Sequence, residues 1–120
     1  MNGKTNRLAL PSKTGFDFFN ILNIIRCESE GNYTWFYFKN EPPYLVARTL
    51  KAYEDTLLKK GFCRIHAPHL INLRELKTYH KGLGGYVIMS DGTKLEVSKS
   101  KRAAFLAKLN MQMNLPLKGV

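Results

Sequence analysis

Hydrophobic residues recur along this chain in short runs, often at every second position, and turn-forming residues separate the runs. The clearest run is Tyr33–Phe38, which concentrates the aromatic and β-branched residues typical of a strand. A turn over residues 28–32, centred on Gly31-Asn32, precedes it and predicts a hairpin with the apolar run of residues 21–27. Shorter strands are predicted at residues 8–11, 16–20 and 44–46.

The stretch of residues 62–73 combines a strand pattern with basic side chains. Arg64 and His66 lie two residues apart and should share one face of an extended segment, while Ile65 between them points to the other. Pro68 has no amide N–H to donate to a sheet, so the strand must end, bulge or bend there. The sequence therefore predicts a polar, basic corner between two buried strand pieces, and we expect function at this corner.

Two helices are predicted where the hydrophobic period changes. Apolar residues at helical spacing between Thr49, a candidate N-cap, and Gly61 predict a helix of about ten residues. Ser98 is a candidate N-cap for a second, basic helix over residues 99–111, which Pro116 closes. The predicted buried residues of the second helix are Ala103, Phe105, Leu106 and Leu109.

The remaining pattern completes a mainly β chain. Residues 75–79 predict a weak strand or turn, and a hairpin follows over residues 86–97 with Asp91-Gly92 at its tip. This gives about eight short strands and two helices, with turn signals roughly every 8–12 residues. Strands and helices do not alternate as in a parallel sheet. We expect one domain over residues 14–120, preceded by residues 1–13 as a polar N-terminal segment or linker remnant.

Charge is distributed unevenly along the chain. The formal net charge is +10, but the first 58 residues hold seven Lys and Arg against six Asp and Glu. Residues 59–120 hold twelve against three, together with all three histidines. Such a concentration favours a polyanionic partner, nucleic acid ahead of acidic lipid head groups. A solvated basic face without a partner is the alternative.

Metal binding and catalysis are poorly supported. Cys63, His66, His69 and His80 are metal-ligand residue types, but their spacing lacks the two tight ligand pairs usual in zinc sites. Cys63 and His66 lie on opposite faces of one strand, out of reach as a nucleophile and base. We therefore expect no enzyme, no catalytic residue, no cofactor and no metal.

Membrane insertion and redox chemistry are equally poorly supported. No apolar run approaches the length of a membrane span, and residues 1–13 contain no apolar signal core. Cys27 and Cys63 each lie in an apolar strand-like run, which fits buried reduced thiols better than a disulfide. We expect a cytoplasmic protein that has no membrane partner.

Nucleic-acid binding through basic corners is the interpretation that remains. The first basic corner comprises Arg64, His66 and His69, and the second comprises Lys99, Lys101 and Arg102. Lys and Arg neutralise phosphates and release counterions, while Arg, Asn and His also reach base edges. An RNA- or single-strand-binding β module, with Tyr33, Trp35 and Tyr37 stacking on bases, is the alternative.

Four blocks of sequence resemble a known family in their order and spacing. The blocks are residues 27–34 (CESEGNYT), 62–66 with 70–73 (FCRIH and LINL), 84–87 (GGYV), and 91–93 leading to 97–98 (DGT and VS). They resemble the LytTR-type DNA-binding domain of bacterial response regulators. The resemblance covers residues 24–109 and implies an elongated sandwich of short antiparallel sheets with one or two short α-helices.

The same resemblance implies how DNA is contacted. Loops rather than a recognition helix would enter successive major grooves at direct repeats. The base-contacting places would be the first hairpin around Asn32, then Ala67 and Lys99. Family members usually carry a polar or basic residue in place of Ala67, and often Arg in place of Lys99. Ala67 can only offer its methyl to a thymine methyl, and Lys99 lacks the planar fork that reads guanine.

The function implied is sequence-specific binding of double-stranded DNA and transcriptional regulation, as the output domain of a two-component response regulator. The implied partners are duplex DNA, a second copy of the chain on DNA, and an upstream receiver domain or sensor kinase. The expected DNA-binding residues are Asn32, Tyr33, Thr34, Arg64, His66, Ala67, His69, Lys99, Ser100, Lys101 and Arg102.

Overall fold

The computed structural model describes residues 6–116, whose strands form three antiparallel sheets. The first sheet is a hairpin of β1 (Arg7–Pro11) and β2 (Phe16–Asn20). The five strands of the second are β3 (Ile24–Glu30), β4 (Tyr33–Phe38), β5 (Tyr44–Val46), β6 (Phe62–His66) and β7 (His69–Asn72), in the order β5-β4-β3-β7-β6. The third comprises β8 (Leu76–His80), β9 (Tyr86–Met89) and β10 (Lys94–Glu96), in the order β10-β9-β8.

Within residues 6–116, two α-helices and three short 3-10 turns complete the fold. The helices are α1 (Lys51–Leu58) and α2 (Arg102–Met113), and the turns are Ile21–Asn23, Leu73–Glu75 and Lys99–Lys101. The molecule is elongated, with extents of 52 × 35 × 25 Å. The prediction of a mainly β fold of short antiparallel sheets with one or two short helices is confirmed.

The five-stranded sheet separates two hydrophobic cores. On one face, Leu57 of α1 packs with Phe36 and Leu70 of the sheet, all fully buried. On the other face, Phe105 of α2 packs with Ile65 and with residues of the three-stranded sheet. Apolar burial on both faces of β6 and β7 accounts for their largely apolar sequence. These central strands are therefore held from both sides, and the loops at their ends start from a rigid base.

The N-terminal hairpin is integral to the fold. β1 pairs with β2 along its whole length, and Leu10 of β1 is fully buried in the first core. Phe19 of β2 stacks on Phe38 of β4 with ring centroids 4.6 Å apart. Residues 7–11 therefore do not fit the predicted linker remnant, because their apolar side chains have partners in the domain. The start of that segment, residues 1–5, lies outside the described residues.

Several predicted boundaries are wrong for local reasons. The predicted turn over residues 28–32 is confined to Gly31-Asn32, because β3 continues to Glu30 and pairs with both β4 and β7. The N-cap of α1 is Leu50 rather than Thr49, and no side chain caps this helix. Ten strands are present among the described residues, where about eight were predicted.

The second helix also begins later than predicted. Ser98 starts the 3-10 turn Lys99–Lys101 without a side-chain capping bond, and α2 follows from Arg102. Phe105 and Leu109 are buried as predicted, but Ala103 is exposed, so its predicted burial is wrong. Ala103 precedes Phe105 by two residues, about 200° around an α-helix, so it lies on the face opposite the buried Phe105 and Leu109.

Candidate nucleic-acid interface

Two backbone hydrogen bonds bring the three predicted base-contacting places together. The Ser29 N–H donates to the Pro68 carbonyl at 2.9 Å, which places the β3–β4 turn beside the β6–β7 turn. The Ser98 N–H donates to the Ile65 carbonyl at 2.8 Å, which places the 3-10 turn before α2 beside the end of β6. We call this region, comprising residues 31–32, 67–68 and 98–102, the loop end.

The first hairpin contributes an exposed turn and a buried anchor. Gly31 has a φ of +60°, a conformation that favours glycine and permits the tight turn between β3 and β4. Asn32 and Tyr33 beside it are exposed. Thr34 is instead fully buried, and its hydroxyl donates to the Arg48 carbonyl at 2.8 Å. Thr34 therefore anchors the hairpin, and the exposed neighbours are the ones that can reach a ligand.

Arg64 uses its guanidinium inside the protein. It forms an ion pair with Glu54 of α1 at 2.8 Å, and the side chains of both residues are only 22% exposed. Its Nε donates to the Ala67 carbonyl at 2.9 Å, and its Nη2 donates to the same carbonyl. The pairing register shifts between Arg64 and His66, and the two side chains contact different elements. The predicted single basic face is therefore wrong, and Arg64 fixes the backbone of the turn at Ala67.

The histidines of the first basic corner lie beside carboxylates. Nε2 of His66 is 3.7 Å from Glu96, and Nδ1 of His69 is 3.7 Å from Glu28. Burial lowers the pKa of His69 below its ordinary value, and the attraction of Glu28 only partly opposes this. His69 is therefore neutral at neutral pH. It can exchange hydrogen bonds but contributes no fixed charge to a phosphate site.

The second basic corner is more open. Lys99 and Ser100 are exposed, and Lys101 and Arg102 are half-buried. Within residues 6–116, no ion pair joins an acidic residue to any of these three cations. The Ser98 and Ser100 hydroxyl oxygens lie 3.4 Å apart, at hydrogen-bonding distance. The 3-10 turn therefore presents Lys99 outward at the loop end, with its charge available.

A cleft of about 370 Å³ opens beside this corner. Its walls include His66, Glu96 and Lys99, together with Leu83 and Gly84 from the β8–β9 loop. The β8–β9 loop holds none of the expected DNA-binding residues. Its position is set by sheet pairing, which no local pattern reports.

Arg48 is a second residue that the sequence did not single out. It follows β5, is exposed, and its carbonyl is held by the buried hydroxyl of Thr34. β5 pairs with β4 so that Val46 lies opposite Thr34, which carries the chain at Arg48 towards the turn at Asn32. Only the strand pairing brings this cation near the loop end.

Trp35 and Tyr37 of β4 already contact charged side chains. The Trp35 indole N–H donates to Glu30 at 2.8 Å, and the Arg26 guanidinium covers the Tyr37 ring at 3.9 Å while pairing with Glu28 at 2.6 Å. Trp35 and Tyr37 are thus half-buried and already engaged. Two of the three aromatic side chains proposed for stacking already have partners within the protein, so this face of β4 does not favour stacking on nucleic-acid bases.

The cysteines and ligand-type residues form no metal or redox centre in the described part of the chain. Cys27 and Cys63 are both buried and unpaired, and burial raises the pKa of each thiol. Across residues 6–116, no three His, Cys, Asp or Glu side chains are grouped so as to hold a metal ion. No helix over the same residues has the length and apolar character needed to cross a membrane.

A family model and a solved structure both match this chain. The family model of the LytTr DNA-binding domain matches residues 16–110. Among solved structures, the chain is similar to the LytTr DNA-binding domain of a Bacillus cereus protein described as a methyl-accepting/DNA response regulator. The TM-score is 0.75 at 19% identity, over 88% of this chain and 98% of the other. A comparison with curated protein sequences finds no match.

Proposed function

This chain belongs to the LytTr DNA-binding domain family, and from this premise we propose that it binds specific sequences in double-stranded DNA. It would thereby regulate transcription as the output domain of a two-component response regulator. The family is one of DNA-binding domains rather than of enzymes. The observation that carries the proposal is the convergence of three loops at the loop end, where Lys99 is exposed and Asn32 lies on a neighbouring turn.

The roles we propose differ between the residues of the loop end. Lys99 and Asn32 read base edges, because both are exposed on tight turns that can enter a groove. Lys101 and Arg102 neutralise phosphates beside them. Arg64 positions Ala67 at the turn that lies against the DNA.

The partners form part of the same proposal. A receiver domain or sensor kinase would control the chain, and two copies would occupy direct repeats in successive major grooves. The cellular location would be the cytoplasm. RNA or single-strand binding through the β4 aromatics is less well supported, because Trp35 is bonded to Glu30 and the Arg26 guanidinium already covers Tyr37.

Selection of bound duplexes from a random pool tests the proposal. We expect a recovered motif, with a log affinity that falls by about 0.9 per contacted phosphate for each tenfold rise in salt. Lys59→Ala is the matched control, because Lys59 is exposed but lies near the opposite end of β6 from His66, so it should leave affinity nearly unchanged.

Two outcomes would contradict the proposal. Salt-sensitive binding without any recovered motif would leave a general polyanion surface and remove sequence-specific regulation. Displacement of the duplex by a hairpin RNA or a single strand at equal salt would favour the β4 aromatics instead.

A further inference from the structure

Leu83 is the most exposed large hydrophobic residue in the described part of the chain, at 107% of its reference area. It lies between Gly82 and Gly84, whose φ angles of +115° and +70° favour glycine. A Cβ added at either glycine would meet no atom within 4 Å, so packing does not explain the two glycines. They instead give the loop a shape that holds the leucine at its apex.

The base of this loop is fixed. The rings of His80 and Tyr86 stack with centroids 4.7 Å apart, and the Val97 N–H donates to the Gly85 carbonyl at 2.9 Å. A Cβ at Gly85 would lie 3.3 Å from the His80 carbonyl oxygen, so the two sides of the loop approach closely. Leu83 is therefore held beside the segment that leads from β10 to Lys99.

The surroundings of Leu83 are polar and mainly basic. It lines the cleft of about 370 Å³ whose other walls include His66, Lys99 and Arg102. Glu96 is the acidic residue of this cleft, and it lies 3.7 Å from Nε2 of His66. A duplex drawn to these cations would meet the leucine at the same time.

We propose that Leu83 contacts the 5-methyl group of a thymine in the major groove, next to the base that Lys99 reads. The thymine methyl is the apolar group on the base-pair edges of the major groove, so it is what an apolar side chain can recognise there. The contact would give specificity for a T·A pair, because the methyl distinguishes thymine from the other three bases. This inference rests on the proposed function and adds a specificity-determining residue to it.

Replacing thymine by deoxyuridine tests the contact, because it removes only the methyl. The duplex recovered from the random pool is resynthesised with each thymine replaced in turn, and the affinities of wild type and Leu83→Ala are measured. We expect one replacement to weaken wild-type binding about fourfold, roughly the value of one buried methylene-sized group. Leu83→Ala should bind the thymine duplex about as weakly as the wild type binds the replaced duplex. Its affinity should not change on that replacement.

The matched control is Met111→Ala, since Met111 is 85% exposed but lies in the C-terminal half of α2. It should bind as the wild type does and keep the sensitivity to deoxyuridine. If the wild type binds the selected duplex equally well after every replacement, this inference is overturned and the proposed function stays intact. Equal sensitivity of wild type and Leu83→Ala also overturns it. Failure to select any duplex overturns the proposed function and this inference together.

Discussion

The two basic corners each contain three basic residues but differ in chemistry. In the first, Arg64 is bonded to Glu54 and to the Ala67 carbonyl, and His69 is neutral because it is partly buried. In the second, Lys99 is exposed on a 3-10 turn and Lys101 is half-exposed. The first corner therefore builds the shape of the loop end, and the second supplies its charge.

This difference shows that a basic residue close to a binding surface does not necessarily contact the ligand. A basic side chain can contact a ligand only if its hydrogen-bond donors are not already bonded to acceptors within the protein. The planar guanidinium of Arg64 donates hydrogen bonds in two directions at once, to Glu54 and to the Ala67 carbonyl. Exposed lysines offer charge without such directed bonds, which suits phosphates and single base acceptors.

The largest expected effect concerns Arg64. Arg64→Ala should lower the free energy of unfolding by about 2 kcal/mol, because it leaves Glu54 and the Ala67 carbonyl without their partner. Chemical denaturation measures this. Arg64→Lys should restore little of the loss, since an ammonium cannot reproduce the fork. Lys101→Ala should change stability by at most about 0.5 kcal/mol, and equal losses in both variants would erase the contrast between the corners.

Lys99 should show the largest effect on DNA recognition. Lys99→Ala should weaken binding to the selected duplex about tenfold or more, and flatten discrimination at one base pair, without lowering Tm. Lys99→Arg should keep the affinity and strengthen a preference for guanine. Affinities for a panel of single-substitution duplexes provide the measurement. A uniform loss over the whole panel would show that Lys99 contacts phosphate alone.

Lys101 should show a smaller, sequence-independent effect. Lys101→Ala should reduce the slope of log affinity against log salt by about 0.9, the contribution of one phosphate. The loss should be the same for the selected duplex and for an unrelated one. A salt titration of both duplexes checks this, and an unchanged slope would remove Lys101 from the phosphate-binding set.

The smallest effect is a pH dependence at His69. Its pKa is lower in the folded chain than the ordinary 6.5, so the unfolded chain takes up the proton first as the pH falls. Stability from this group is complete above pH 6.5 and is lost as the pH falls towards the folded pKa. His69→Asn should therefore flatten the decline in unfolding free energy below that pH. A decline of identical steepness in both proteins would mean that other groups cause it.

The strand framework could be predicted where the sequence signal is local. Tyr33–Phe38 and Tyr44–Val46 are strands as predicted, because a half-buried strand shows its pattern within a few residues. Residues 75–79 gave an ambiguous signal, and Leu76–His80 is a strand because β9 pairs with it. For this segment, strand propensity was ambiguous and the pairing with β9 determined the conformation.

The candidate site was predicted less completely, because its determinants are distant in sequence. The partner of Arg64 is Glu54 on α1, and only the packing of that helix against β6 brings them together. Leu83 became a candidate contact residue only because it lines the same cleft as Lys99. Residue types predicted a basic region, but which cations are available depended on contacts that spacing does not encode.

The most direct test of the account is to titrate the isotopically labelled protein with the selected duplex and follow its amide and indole N–H resonances by NMR. We expect the shifts to concentrate at Asn32, Ala67 and residues 98–102, together with the loop around Leu83. The indole of Trp35, the chain's one tryptophan, should barely move, since its N–H is bonded to Glu30. Large shifts at that indole, with little change at the loop end, would contradict the account and place the nucleic acid on the β4 face.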